Sequence, residues 1–166
     1  MCYEQQGLKT MSVYLFKVAL DHDKRTYRQI EILDTQTLKD FHEIIFNAFD
    51  RYDEHLYSFY LTKKPAKSLA TRRKAPEFVP SLALEDDSIA FFGQKEKYDA
   101  SKTKIADLGL GVKDKMYYLF DYGDEWWHEI TLLSIIETKR KQGLPRIVKK
   151  VGASPPQYPE FDEDED

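Results

Sequence analysis

Cysteine is almost absent from this 166-residue sequence, which contains only Cys2. A single cysteine excludes an internal disulfide and a metal site built from several thiolates. The chain also lacks an apolar run of about 18 residues, which excludes an ordinary transmembrane helix. Residues 1–10 are polar and do not form a secretory signal. We therefore expect a cytoplasmic protein with no membrane partner.

Several catalytic signatures are missing as well. The sequence contains no GxxxxGK[ST] phosphate loop, no GxGxxG turn, no GxSxG nucleophile elbow and no HExxH zinc motif. We therefore expect no cofactor, and the sequence favours a protein that is not an enzyme.

Aromatic residues and charge are abundant. Ten Phe, 11 Tyr and 2 Trp predict a packed core, since disordered chains are poor in aromatics. The formal net charge of −4 includes six acids within residues 160–166, so the rest of the chain carries a net charge of +2. The acidic balance therefore does not exclude a polyanionic partner.

Hydrophobic periodicity predicts strands around one helix. Residues 13–20 and 27–33 predict an antiparallel hairpin, and residues 56–61 predict a third strand. Apolar side chains spaced by three and four predict a helix over residues 38–49. Thr37 is the expected N-cap, with Asp40 three positions later as in a capping box.

The second half of the chain predicts a C-terminal β-hairpin from residues 116–122 and 126–136, joined by residues 123–125. Residues 89–93 predict a short edge strand, and residues 103–108 predict a helical turn. The fold class is α+β, with a mainly antiparallel or mixed sheet and one main helix packed on a face. This order of elements is compatible with a β-grasp topology.

The expected organisation is a single domain over residues 12–153. A disordered leader precedes it over residues 1–11, and an acidic disordered tail follows over residues 154–166. Residues 62–102 contain three prolines and a basic cluster, which predicts a long irregular insertion.

The densest set of chemically active side chains surrounds the C-terminal hairpin. Carboxylate and imidazole together can bind a divalent metal or act as acid and base. The alternative interpretation is structural, in which Asp124 serves the turn and His128 fills a half-buried strand position. The candidate functional surface comprises Tyr27, His55, Asp121, Tyr122, Asp124, Trp126 and His128, of which His55, Asp121, Asp124 and His128 are the candidate metal ligands.

Two basic segments are candidates for phosphate contacts, and solvated loops are the alternative. No aromatic residue lies within 63–74, so base stacking is not predicted there. The candidate contacts are Arg72, Arg73, Lys74, Lys139, Arg140 and Lys141.

The chain contains Tyr27-Arg28 with Ile30, Leu38 with Phe41-His42-Glu43-Ile44-Ile45, His55-Leu56 with Phe59, Tyr118, Asp121-Tyr122-Gly123-Asp124-Glu125-Trp126-Trp127-His128-Glu129-Ile130, and Pro145-Arg146. These motifs, spread along residues 12–160, resemble those of a known family, the plasmid pRiA4b ORF-3-like proteins. Relatives often carry Cys-Pro-Pro-Glu-Asp-Cys-Gly-Gly near the end, whereas residues 154–160 here keep the prolines but neither cysteine and neither acid. The family has no established activity, so the resemblance implies a fold and the location of a site.

Three functional hypotheses follow. The first is a non-enzymatic binding module for an unknown protein or small-molecule ligand. The second is a nucleic-acid-associated protein related to mobile elements, which the basic segments and the resolvase label of some relatives suggest. The third is a metal-dependent hydrolase or nuclease that uses the carboxylates and histidines of the hairpin.

Overall fold

A computed structural model describes residues 10–84, 96–139 and 143–159. Its strands form one eight-stranded sheet in the order β5-β4-β3-β6-β7-β1-β2-β8, in which only β4 and β5 are parallel. The elements in chain order are β1 (Met11–Leu20), β2 (Tyr27–Leu33), α1 (Leu38–Ala48), β3 (Tyr57–Lys63), α2 (Leu69–Lys74), β4 (Glu77–Val79), α3 (Ser81–Leu84), β5 (Lys97–Asp99), β6 (Lys115–Phe120), β7 (Trp126–Thr138) and β8 (Arg146–Val151).

Helix α1 begins at a capping box, as the sequence predicts. The Thr37 hydroxyl accepts from the Asp40 N–H at 3.2 Å, and the Asp40 carboxylate accepts from the Thr37 N–H at 2.9 Å. Its apolar stripe of Leu38, Phe41, Ile45 and Ala48 is buried against the sheet. We call the side of the sheet that packs on α1 the helix face, and the opposite side the outer face.

A buried arginine joins the end of α1 to the last strand. Arg28 is 2% exposed; its Nε donates to the Ala48 carbonyl at 2.8 Å and its Nη1 to the Val151 carbonyl at 3.0 Å. The chain leaves β8 at Gly152 with φ +81°, where a Cβ atom would lie 2.6 Å from the Thr26 hydroxyl. Glycine is therefore required at this close approach.

Within residues 10–84, 96–139 and 143–159, the outer face is covered at one end only. There, residues 64–76 cross β3, β6 and β7, and α2 places the Arg72 guanidinium 3.9 Å from the centre of the Tyr117 ring. The Tyr117 hydroxyl accepts from the Ala66 N–H at 2.8 Å. A second, smaller apolar cluster forms beneath this segment and consists of Tyr60, Ala66, Tyr117, Leu119 and Trp127.

The α+β class and the large mixed sheet are confirmed, whereas the β-grasp topology is not. The long insertion is less irregular than predicted, because residues 62–84 contain the end of β3, α2, β4 and α3. The predicted edge strand at 89–93 lies outside the described residues. Strand β8 was not predicted, because its exposed polar side chains obscure the strand alternation.

The described structure extends past both predicted domain boundaries, by one residue of β1 at the N-terminal side and to residue 159 at the C-terminal side. Met11 is buried and belongs to β1, where it is paired with Thr138. Residues 154–159 lie against the domain, since Gln157 is 3% exposed and its side-chain oxygen accepts from the Tyr52 N–H. Within the part of the chain that the structure describes, no helix is long and apolar enough to span a membrane.

Candidate binding cavity

A cavity of about 590 Å³ opens on the outer face beside α2. The register places Tyr60 of β3 opposite Glu77 of β4, and Glu77 opposite Lys97 of β5, so these side chains lie in one row across three strands. The cavity is lined by Tyr60, Arg73, Lys74, Glu77, Lys97, Leu119, Tyr122 and Glu125.

Hydrogen bonds fix the polar groups in the floor of the cavity. The Ser58 hydroxyl donates to the Glu77 carboxylate at 2.8 Å and lies 2.7 Å from the Tyr122 hydroxyl, which also donates to the Tyr57 carbonyl at 2.9 Å. Burial raises the pKa values of Tyr60 and Tyr122, so both phenols stay protonated at neutral pH. The floor is therefore a rigid aromatic surface with hydroxyl groups and one carboxylate.

Charged side chains line the rim of the cavity. The Arg73 guanidinium donates to the Glu125 carboxylate at 2.9 Å across the mouth, and this pair connects α2 to the β6–β7 turn. Lys74 is exposed on the same helix, while Lys97 is half-buried on β5. Three cationic and two anionic side chains therefore line the cavity.

Three of the predicted site residues meet in this cavity, although the sequence placed them in two separate candidate sites. Tyr122 comes from the hairpin surface, and Arg73 and Lys74 come from the basic segment. Both segments border the same end of the outer face. The sheet thus combines an aromatic side chain and a basic helix into one site.

The prediction that Arg72 contacts phosphate is wrong. Arg72 is 2% exposed and donates two hydrogen bonds to the Asp21 carboxylate, at 2.8 and 2.9 Å, and a third to the Ala66 carbonyl. It anchors α2 to the β1–β2 turn. Lys139 is exposed just after β7, and Arg140 and Lys141 lie outside the described residues.

The predicted turn role belongs to Asp121 rather than to Asp124. Asp121 has φ +64° and accepts from the N–H groups of Gly123 and Asp124 at 3.0 and 3.3 Å. Its carboxylate also lies 3.5 Å from His55 Nε2. The Asp124 side chain is exposed at the tip of the turn.

His128 is fully buried on the helix face, not half-buried as predicted. Its Nδ1–H donates to the Tyr118 carbonyl at 3.2 Å, and its Nε2 accepts from Arg51 Nη2 at 3.3 Å. Burial and the Arg51 charge lower the pKa of His128 to about 3, so the imidazole is neutral. Trp126 is half-buried beside it, with the Arg51 guanidinium 4.7 Å from its ring centre.

His42 on α1 has a structural role like that of His128. It accepts at Nδ1 from the Tyr118 hydroxyl at 2.6 Å, donates at Nε2 to Glu54 at 3.2 Å and stacks on Tyr57 at 3.7 Å. Burial lowers the pKa of His42 to about 3. Both buried histidines are therefore neutral at physiological pH, and both ring nitrogens of each have partners.

Only two of the four candidate metal ligands come together, namely His55 and Asp121. The His55 Nε2 also lies 2.7 Å from the Tyr158 hydroxyl. The described residues contain no group of three or more His, Cys, Asp or Glu side chains that could hold a metal ion. Tyr27, also predicted on this surface, lies on the outer face of β2, with Lys17 Nζ 4.4 Å from its ring centre.

Five lining residues were missed in the sequence. A sequence signal exists for Tyr60 and Leu119: residues 59–61 and 116–120 are apolar or aromatic without alternation, which indicates strands buried on both faces. Glu77, Lys97 and Glu125 carry no such signal, because they meet the others only through strand pairing and a turn. The missed residues are Tyr60, Glu77, Lys97, Leu119 and Glu125.

The fold has a counterpart of known structure. It is similar to the crystal structure of MM3350, a protein of unknown function from Methanosarcina mazei Go1, with a TM-score of 0.65 and 21% sequence identity over 89% of this chain and 73% of that one. No curated protein matches the chain. The sequence model described as plasmid pRiA4b ORF-3-like protein matches residues 12–158. This chain therefore belongs to the plasmid pRiA4b ORF-3-like family.

Proposed function

We propose that this protein is a non-enzymatic binding module whose ligand is a small molecule with an apolar or aromatic body and an anionic group. The observation that carries the proposal is the outer-face cavity of about 590 Å³. Its size falls in the range of small-molecule sites, which combine apolar walls with a few fixed polar groups. Tyr60, Leu119 and Tyr122 would contact the body of the ligand.

The charge of the rim supports an anionic group on the ligand. Arg73 is paired with Glu125, whereas Lys74 is exposed at the mouth and Lys97 lies on β5. Lysine ammonium groups that flank an aromatic floor attract a carboxylate, sulfonate or phosphate while the floor excludes water.

The state of the histidines supports binding rather than acid–base chemistry. His42 and His128 are buried and belong to the helix-face core cluster or border it, away from the cavity. With pKa values near 3, neither exchanges a proton at physiological pH. The metal-dependent alternative has weaker support, since it depends on His55 and Asp121 alone.

A fluorescent probe with an aromatic body and a sulfonate, anilinonaphthalene sulfonate, tests the proposal directly. We expect enhanced fluorescence with the folded protein and a roughly five- to tenfold higher dissociation constant for Lys74→Glu, because charge reversal replaces attraction by repulsion. Lys67→Glu is the matched control, since Lys67 is an exposed lysine of the same segment that does not line the cavity.

Equal weakening of probe binding in both lysine variants would show that net charge alone governs it and would contradict the proposed cavity. A second variant tests the floor: Tyr122→Ser removes a ring that is 41% exposed and should weaken probe binding without unfolding the sheet. Unchanged binding by Tyr122→Ser, with an unchanged melting temperature, would also overturn the proposal.

A further inference from the structure

A row of polar side chains crosses five strands of the outer face. The strand register places Lys115 opposite Thr131, Thr131 opposite Lys17, Lys17 opposite Gln29 and Gln29 opposite Lys149. Directly paired residues in antiparallel strands project from the same face of a sheet. These five side chains therefore form a continuous line from β6 to β8, with a lysine on every second strand.

The length of this lysine row suits a polymer better than a single ion. Neighbouring strands lie about 4.8 Å apart, so the four steps from Lys115 to Lys149 span about 19 Å. The helix-face residues that flank this row on β1 and β2, such as Phe16 and Ile30, are buried. In the row itself, Lys17, Gln29 and Thr131 are half-exposed and Lys149 is exposed.

The surroundings of the lysine row are also basic. Lys24 and Arg146 border it, and Glu31 and Glu129 are its acidic neighbours. The three lysines of the row and these two basic neighbours make five cationic side chains, against two carboxylates. These seven charged side chains sum to +3, in a chain whose overall formal charge is −4.

Lys115, Thr131 and Lys17 of the row line a shallow pocket of about 220 Å³ between β6, β7 and β1. Lys115 Nζ donates to Thr131 Oγ1 at 2.8 Å and to Glu129 at 3.1 Å, and Lys24 Nζ donates to the other oxygen of Glu129 at 3.1 Å. Glu129 thus orients two lysines toward this pocket, and Lys17 completes its lining.

We propose that the lysine row binds the sugar–phosphate backbone of a single-stranded nucleic acid. Lysines recognise phosphates without regard to sequence, and hydroxyl and amide side chains such as Thr131 and Gln29 add hydrogen bonds to phosphate and sugar. Tyr27 supplies an aromatic ring next to Lys17, on which a base can stack. This row shares no lining residue with the outer-face cavity, so the two proposals are independent.

A single strand fits this surface better than a duplex for two reasons. Among the described residues, no helix or β-ribbon projects beside these lysines to enter a groove, as duplex-reading motifs require. An aromatic side chain beside a basic row is the combination that single-strand binders use, because every base has a stacking face.

Fluorescence anisotropy of the full chain with labelled oligothymidylate and oligouridylate tests the proposal. We expect salt-dependent binding that the double variant Lys17→Glu/Lys149→Glu weakens at least tenfold. The log–log slope of affinity against salt should fall by about 0.7 for each phosphate that the variant no longer neutralises. The matched control is Lys39→Glu/Lys102→Glu, which changes the net charge equally at exposed lysines outside the row.

Tyr27→Ala separates stacking from charge: it should weaken binding several-fold while leaving the salt slope unchanged. The proposal is overturned if the control weakens binding as much as the lysine-row variant, or if the wild-type chain binds neither oligonucleotide at low salt. Equal or tighter binding of a labelled duplex, or of polyglutamate, would likewise overturn it in favour of a different partner. Matching melting temperatures of all variants keep the comparison valid.

Discussion

The two faces of the sheet use basic side chains for opposite purposes. On the helix face, Arg28, His42 and His128 are buried, hydrogen-bonded and packed among aromatic rings. On the outer face, Lys17 and Lys149 remain half-exposed or exposed on a surface that no described helix covers except at the α2 end. The difference teaches that a polar residue in a strand indicates function only when its face is known.

Burial decides which polar groups retain chemical freedom. A neutral, buried imidazole with two partners holds strands and helix in place, whereas an ammonium group on an open face can exchange water for a ligand. The histidines that look most reactive in the sequence are therefore structural. The ordinary lysines and tyrosines of the outer face carry the binding proposals.

The sharpest test of this contrast compares neighbours in β1. Phe16→Ala should lower the free energy of unfolding by about 3–5 kcal/mol, because it removes a fully buried ring that packs on Phe41 at 4.9 Å. Lys17→Ala, one position later on the outer face, should change it by less than about 0.5 kcal/mol. Urea denaturation measures both, and similar losses would contradict the assignment of the two faces.

The next largest effect concerns the segment that covers the outer face. Arg72→Met should lower the free energy of unfolding by about 2–3 kcal/mol, because Asp21 and the Ala66 carbonyl lose a buried partner. Arg73→Met is the control: Arg73 is half-exposed in its pair with Glu125, and its loss should cost less than about 1 kcal/mol. Equal costs would show that α2 is not anchored by Arg72.

The buried histidines predict a decline of stability in mild acid. Their folded-state pKa values lie near 3, below the ordinary value of 6.5. Between these two values the unfolded chain binds protons that the folded chain does not bind. Below pH 6.5 the free energy of unfolding should therefore decrease as the pH is lowered, by up to about 1.4 kcal/mol per pH unit for each histidine.

His128→Asn isolates the contribution of one histidine. The variant is expected to be less stable than the wild type at neutral pH, but its stability should depend less steeply on pH between about 6.5 and 4. Urea denaturation across this range gives the two slopes. Identical slopes of unfolding free energy against pH would mean that His128 is protonated in the folded state and is not shielded from solvent.

The smallest predicted effect lies in the β6–β7 turn. Asp121→Ala should cost about 1 kcal/mol, because two backbone N–H groups lose their acceptor at a residue with φ +64°. Asp124→Ala, three residues later and exposed, should stay within about 0.5 kcal/mol. Thermal unfolding measures the stability loss of both variants. A larger loss for Asp124→Ala would show that Asp124 holds the turn, as the sequence suggested.

Local signals account for the parts of the fold that were predicted correctly. The capping box of Thr37 and Asp40 and the apolar spacing that follows place α1 within one residue of its observed end. Short turns place the β1–β2 and β6–β7 hairpins, because strands joined by a few residues have few other partners. The family resemblance likewise depends on motifs that can be found without a structure.

Long-range pairing accounts for what was missed. Lys149 meets Gln29, and Glu77 meets Lys97, only through strand pairing that no local pattern specifies. The packing of α2 on the outer face likewise determines that Arg72 is buried while the adjacent Arg73 faces the cavity. A sequence that contains both residues in one basic cluster gives no means to separate them.

By itself, the sequence determined the α+β class, the helix with its cap, the two hairpins and the family. These features depend on the period of apolar residues and on turn chemistry, which act over a few positions along the chain. Only the tertiary structure decided which polar residues are sealed in the core and which line an open surface. That decision depends on which strands become neighbours, and a shift of one residue in register would exchange the two faces.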